Sequence, residues 1–318
     1  MAVKRINRAI ELLAQSQAVY YTGAHTGHVL THAQGKEDAS TWADYINIGM
    51  EHGAFDMAGL AEYLRGLVEG GPTRSGHRTP AVIVELPVRG TDAVAVAANS
   101  WQVRQILARG VHGLVLCQAE SPRAVRAFVE AARYPHHAAG VDPALPSPLE
   151  RMRGVTPAAV GCGAPAAVGV GTRGLGSEAT AAALWGLSRE EYMERSDPWP
   201  LNPRGELLLG LKIESPEGVA SCEEILAVPG IGFAEMGPGD LGLSLGYLNA
   251  PRDPYPPEMK AARDRVFAAC RSKHIAFLEV CTPANIKDRL DEGVRVIAGH
   301  RQETAEIGRA HQKRAMPV

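Results

Sequence analysis

A (β/α)8 barrel, an α/β fold in one domain spanning residues 1–318, is what this sequence predicts, on three observations. Short apolar or β-branched runs alternate with helical patterns along most of the chain; there are eight such runs; and each is almost continuously apolar, as in parallel strands buried on both faces. The strand candidates are 18–21, 45–49, 81–86, 113–117, 207–213, 232–236, 275–280 and 295–298. Between them lie helix-like segments: DMAGLAEYLRGLVEGG, SWQVRQILARG, SPRAVRAFVEAARYP, EEILAVPG, PEMKAARDRVFAACRS and PANIKDRLDEG. A doubly wound open sheet would show the same alternation, but no GxGxxG follows the first strand. Closure into a barrel is the simpler solution.

In chain order, MAVKRINRAIELLAQ comes first, with charges throughout and Ile6, Ile10 and Leu13 at helical spacing. That pattern predicts an amphipathic surface helix and not a secretion signal. Two stretches exceed what a βα connection needs, near 22–43 and 136–170, the second rich in Pro, Gly and Ala. Both are expected to be insertions on one barrel, not linkers. The composition, 45% hydrophobic and 21% charged with a net charge of −2, supports a large core. It shows no basic stripe and no bilayer-length apolar run, so neither nucleic acid nor membrane is an expected partner. Five scattered cysteines with no CxxC spacing argue against disulfides or zinc and fit a reducing, cytoplasmic setting.

The segment GLKIESPEGVASCEEILAVPGIGFAEMGPGDLGLSLGY carries the chemistry. It reads strand, helix, strand, glycine-rich turn, with Glu214 ending the first strand and Asp240 just past the second. In a barrel both would face the mouth at the carboxyl ends of neighbouring strands. Two adjacent carboxylates need a cation or a proton between them. Without a nearby Cys or His partner they suit a hard divalent ion that keeps exchangeable waters. The plainer reading has Glu214 capping the helix that begins SPEG and Asp240 in a solvated turn.

KIESPEG followed by EEILAVPGIGFAEMGPGDLGLSLG resembles the signature of the metal-dependent 2-oxo-acid aldolases of the HpcH/HpaI family. Weaker similarity runs from about Tyr45 to His300 and includes MEHG at 50–53, RYP at 133–135 and GTRGLGS at 171–177. The resemblance implies a barrel of the phosphoenolpyruvate/pyruvate type, a homo-oligomer, and a carbon–carbon lyase acting on a small carboxylate through a metal-stabilised enolate. It implies a divalent cation on Glu214 and Asp240, magnesium or manganese first, with cobalt, nickel or zinc as further candidates. Backbone N–H groups around Gly239 and Asp240 would hold the substrate carboxylate, and His52 matches the family's catalytic histidine.

The chain departs from that pattern at two places. Gly49 stands where the family has an aspartate that orients the histidine, and Glu85, in VELP, stands where it has an arginine that polarises the keto oxygen. Pointing into the mouth, Glu85 would itself bind a cationic or hydroxylated part of a different substrate, or as an anion would repel a 2-oxo acid unless another cation is at hand. Arg89 in the following loop is one candidate; Lys212, on the same strand face as Glu214 where many relatives have glutamine, is another, unless it simply pairs with Glu85 or Glu214. Glu51 would be a helper of His52 or a surface partner, and Arg173 in GTRGLGS a substrate contact. His25, His28 and His32 have only a suggestive metal spacing, and His136, His137, His300 and Arg301 read as exposed or structural. Two other functions use the same residues: decarboxylation or hydration of another carboxylate on the same metal, and a non-catalytic carboxylate-binding barrel. Both metal acids and the intact GPGD favour an enzyme.

Overall fold

The computed structural model describes residues 5–155, 167–249, 251–298 and 301–318. Among them are nine strands, β1 (Val19–Ala24), β2 (Tyr45–Gly49), β3 (Ala81–Arg89), β4 (Gly113–Cys117), β5 (Pro198–Trp199), β6 (Leu207–Ile213), β7 (Phe233–Met236), β8 (Ala276–Val280) and β9 (Val296–Ala298). All pairings are parallel; β4 pairs with β6 and β9 returns to β1, so eight strands close a barrel. The two-residue β5 lies outside that ring, on the start of β6.

Strand alternation divides the core in two. Tyr21, Tyr45, Ile83, Val115, Leu208, Phe233 and Leu278 fill the barrel and pack with Ala9, Ile10 and Leu12 of helix Arg8–Ala14. That helix therefore plugs the N-terminal end of the barrel and is not the surface helix its charges suggested. Asn7 caps it and ties it down, donating to the carbonyls of His112 and Glu206 just ahead of β4 and β6. The outward strand residues, among them Ile46, Val84, Leu116, Leu209 and Ile213, meet the helical layer, notably Leu64, Val103, Phe128 and Val266. Each fully buried side chain of this kind contributes about 1.5–3 kcal/mol.

The N-terminal end also holds buried ion pairs. Arg314 grips Asp44 with contacts of 2.6 and 2.8 Å, with Arg8 and Arg309 each at 3.7 Å. Arg133 binds Asp197 through two hydrogen bonds, and Arg195 meets Glu206 at 2.7 Å.

The stretch 22–43 is not an insertion. β1 runs on to Ala24, and helix His32–Asp38 is the crossover of the first βα unit. Its polar sequence hides it from apolar periodicity; it docks by backbone proximity, with Gly66 and Gly70 of helix Met57–Gly70 against the carbonyls of His32 and Lys36. The second stretch does leave and rejoin one point, where the Arg173 N–H bonds the Arg133 carbonyl and Gly171 lies against the same backbone. This root is at the C-terminus of helix Pro122–Ala132, the end remote from the mouth.

Candidate active site

Strand alternation that buries Ile83, Leu208 and Phe233 inside the barrel puts Glu85 and Glu235 two residues further along, and Lys212 four, on the same inward face nearer the mouth. Lys212 and Glu235 are register partners across β6 and β7. Lys212 Nζ donates to Glu51 Oε2 at 2.9 Å and lies 3.3 Å from Glu85 Oε2. Glu85, 2% exposed, also accepts from Asn47 at 3.0 Å and contacts His25 Nδ1 at 2.7 Å. Burial would raise its pKa, but His25 and Lys212 outweigh that and hold the carboxyl down at about 2. Burial likewise opposes the charge on Lys212, yet Cys117, Glu235, Glu85 and Glu214 keep it above its ordinary range. The glutamate expected to face a 2-oxo acid is thus a buried ion held through Oε1 by His25 and Asn47, with Lys212 beside Oε2.

Above this layer lies the acid pair. Glu214 follows β6 and Asp240 lies in the first turn of helix Pro238–Ser244, which follows β7. Gln118, just beyond β4, joins them: its backbone N–H donates to Glu214 Oε1 and its side-chain Nε2 to Asp240 Oδ2, both at 2.9 Å. Its backbone is left-handed, with φ 48°. Glu51 completes the group. Its carboxylate lies within 4.8 Å of ligating atoms of His52 and Asp240 on one side and of Cys117 and Glu214 on the other. Gly237 is a glycine because a Cβ there would lie 2.4 Å from Glu214 Oε2.

The donor chemistry fits a hard divalent cation. Burial pushes Glu214 up to about 8 against the pull of Lys212, with Glu235 and Glu51 adding to the rise. Five acids, Glu51, Glu85, Glu214, Glu235 and Asp240, thus lie in or beside this group with one lysine, Lys212, among them. Burial also pushes the Cys117 thiol well above its usual range, so carboxylate oxygens lead the donor set. Gln118 Oε1 is buried with no hydrogen-bond partner among the described residues, an acceptor suited to the water ligands of such an ion. The amides of Gly239 and Asp240 precede the first helical bond, Leu241 N–H to the Gly237 carbonyl, and have no intrahelical acceptor.

Other expected residues are distributed unevenly. His52 is exposed at the rim, its Nε2 3.6 Å from Glu51 Oε2. Arg89 is exposed at the end of β3, in register with Cys117, and no ion pair engages it among the described residues. Arg173 is not at the mouth: it is 2% exposed, stacked over Tyr134 and Tyr192, and bonds the Tyr192 hydroxyl at 2.6 Å. The histidines of the first loop do not form a metal trio, since His25, His28 and His32 each meet a different acid, Glu85, Asp38 and Glu69. His137, expected to be exposed, is buried beside Asp197. His300 lies outside the described residues. Sequence reading passed over Gln118 and Glu235, although the strand-end rule that selected Glu214 applies equally to LVLCQ.

A family model described as HpcH/HpaI aldolase/citrate lyase matches residues 78–300. The chain belongs to that family. A hydroxypyruvate/pyruvate aldolase of Paraburkholderia phytofirmans is 25% identical over 256 residues, 80% of this chain and 77% of that protein. A 2-keto-3-deoxy-L-rhamnonate aldolase of Klebsiella pneumoniae is 26% identical over 64% of this chain and 60% of its own. A crystal structure of a family protein from Burkholderia cenocepacia superposes with a TM-score of 0.64 at 21% identity, covering 96% of both chains. The chain is thus a carbon–carbon lyase of the aldolase type on a (β/α)8 barrel. The matched span contains Glu85, Lys212, Glu214 and Asp240; His25, Gly49, Glu51 and His52 precede it.

Proposed function

We propose that the protein makes or breaks a carbon–carbon bond next to a 2-oxo acid, using magnesium or manganese held by Glu214 and Asp240 with Glu51 alongside. Gln118 bridging Glu214 and Asp240, with Glu51 within 4.8 Å of a ligating atom of each, carries this reading. A bound divalent cation would supply the positive charge that stabilises an enolate as it forms. The free amides of Gly239 and Asp240 suit the substrate carboxylate, and the helix dipole adds to their pull. Lys212, in contact with both Glu85 and Glu51, offsets part of their charge, and the bound cation would offset the remainder that would otherwise repel that anion. Arg89, exposed at the rim with no ion pair among the described residues, suits a second charged group on a longer substrate. A proton must also move at the reacting carbon and hydroxyl, and His52 and His25 both stand at the mouth to do it. A homo-oligomer in a reducing cytoplasm completes the reading; the described cysteines are free and buried.

Pyruvate in deuterated water with manganese tests the reading without a choice of aldehyde. Methyl-proton loss that needs manganese, stops with chelator and is absent in Glu214→Gln supports it. Undiminished exchange in chelator contradicts it.

A further inference from the structure

We propose that His25, oriented by Glu85, is the acid–base group of this site, and that this pair takes the place of an aspartate–histidine pair at Gly49 and His52. The inference rests on the function proposed above and assigns its proton transfer.

Gly49 cannot carry an orienting side chain. A Cβ there would lie 2.0 Å from the His25 carbonyl oxygen, 2.3 Å from its carbon and 2.6 Å from its Cα. The loop after β1 fills the space an aspartate would use, and the residue that fills it is His25. His52 is left without a fixed partner: its nearest carboxylate oxygen, Glu51 Oε2 at 3.6 Å, is beyond hydrogen-bond reach and already accepts from Lys212.

His25 has what His52 lacks. Its Nδ1 meets Glu85 Oε1 at 2.7 Å, and Glu85 is itself fixed by Asn47 and Lys212. An ionised carboxylate only accepts, so Nδ1 carries the hydrogen and Nε2 holds the lone pair. Nε2 has no hydrogen-bond partner among the described residues, and the side chain is 40% exposed. Glu85, Lys212 and Glu51 link the ring by successive contacts to the metal acids. The charged groups facing His25 are Glu85 on β3, Lys212 on β6 and Glu235 on β7; the Glu85 hydrogen bond outweighs burial and raises the imidazole's pKa.

In the cleavage direction Nε2 takes the proton of the 4-hydroxyl. The O–H electron pair becomes the second bond of the released carbonyl, the C3–C4 pair stays on the 2-oxo acid as its enolate, and the proton passes from Nε2 to C3. Nothing is oxidised or reduced.

The test measures pyruvate methyl exchange in deuterated water with saturating manganese for the unmutated protein, His25→Asn, His52→Asn, Glu85→Gln and Glu214→Gln. His25→Asn is expected to slow exchange by about a hundredfold or more, and by more than His52→Asn does. Glu85→Gln is expected to remain active but to move the acid limb of the pH profile down by about one unit, because an amide no longer holds the imidazolium. Exchange that survives His25→Asn within threefold, while Glu214→Gln abolishes it, overturns the His25 assignment and leaves the function standing. An unshifted acid limb in Glu85→Gln also overturns it. No exchange by the unmutated protein overturns both.

Discussion

At the N-terminal end of the barrel, Asp44 is met by Arg8, Arg309 and Arg314, Asp197 by Arg133, and Glu206 by Arg5 and Arg195. At the mouth, Glu51, Glu85, Glu214, Glu235 and Asp240 share one lysine, Lys212, with His25 and His52 beside them. Both groups of acids are largely buried, yet only the first is balanced by arginines fixed in place. Buried charges matched by guanidinium forks stabilise one arrangement of the chain and have nothing left for a ligand. A surplus of negative charge among largely buried acids costs stability, and a cation relieves that cost. On the function proposed above, the difference separates an end that holds the barrel together from an end that would do chemistry, as barrels of this kind divide their two faces.

The sharpest way to break that contrast is one substitution at each end. Glu214→Gln should lower manganese affinity and pyruvate exchange by at least about a hundredfold while the melting curve stays near that of the parent. Asp44→Asn should do the reverse: a loss of about 3–5 kcal/mol in denaturant unfolding, because three arginines lose their partner, with exchange per folded molecule unchanged. If Asp44→Asn impaired manganese binding as much as Glu214→Gln, the two ends would not be functionally distinct.

pH should separate the ends by sign. Glu214 has a folded pKa raised to about 8 from an ordinary 4.5, so the folded state binds the extra proton between those values. In the chelated protein this group makes stability fall as pH rises from 4.5 through 8. Manganese should therefore raise the melting temperature more at pH 8 than at pH 6. At a hundredfold excess over its Kd the full effect is about 2.7 kcal/mol. Asp44 behaves oppositely. Burial would raise its pKa, but Arg314, Arg8 and Arg309 hold it below the ordinary 3.8, so its contribution is complete above that value and is lost as pH falls further. Equal manganese stabilisation at both pH values would count against a charge surplus at the mouth.

A smaller effect is expected at Gly49. Gly49→Ala should cost about 1–3 kcal/mol, since its methyl would press on the His25 backbone, and should reduce exchange by displacing that ring. An alanine variant as stable and as active as the parent would remove the steric link between Gly49 and His25.

Much of this architecture was legible in the sequence, for reasons that also mark the limit. The strands at 45–49, 113–117 and 207–213 agree at both ends with β2, β4 and β6, because strands covered on both faces are written as nearly continuous apolar runs, broken here only by Asn47 and Lys212. Helix His32–Asp38 was missed because it docks through glycine backbone contacts and shows no apolar stripe. β3 runs past Pro87 to Arg89 only because its register shifts between Glu85 and Arg89, which no local pattern announces. Glu214 and Asp240 were legible because each sits at its own strand's end. The bond of His25 to Glu85 spans 60 positions and that of Lys212 to Glu51 spans 161. Such pairings follow from barrel closure, so a single segment cannot reveal them. Arg173 shows the converse: a glycine-rich context suggested an open loop, while the aromatic residues that enclose it come from distant parts of the chain.

Anomalous diffraction from crystals soaked in manganese and pyruvate addresses the charge surplus most directly. The expected result is one strong peak bonded by a Glu214 oxygen and an Asp240 oxygen, with pyruvate completing its coordination beside the amides of Gly239 and Asp240. A mouth with no peak at saturating manganese, or a peak held by other residues while Glu214 and Asp240 turn apart, would contradict the account.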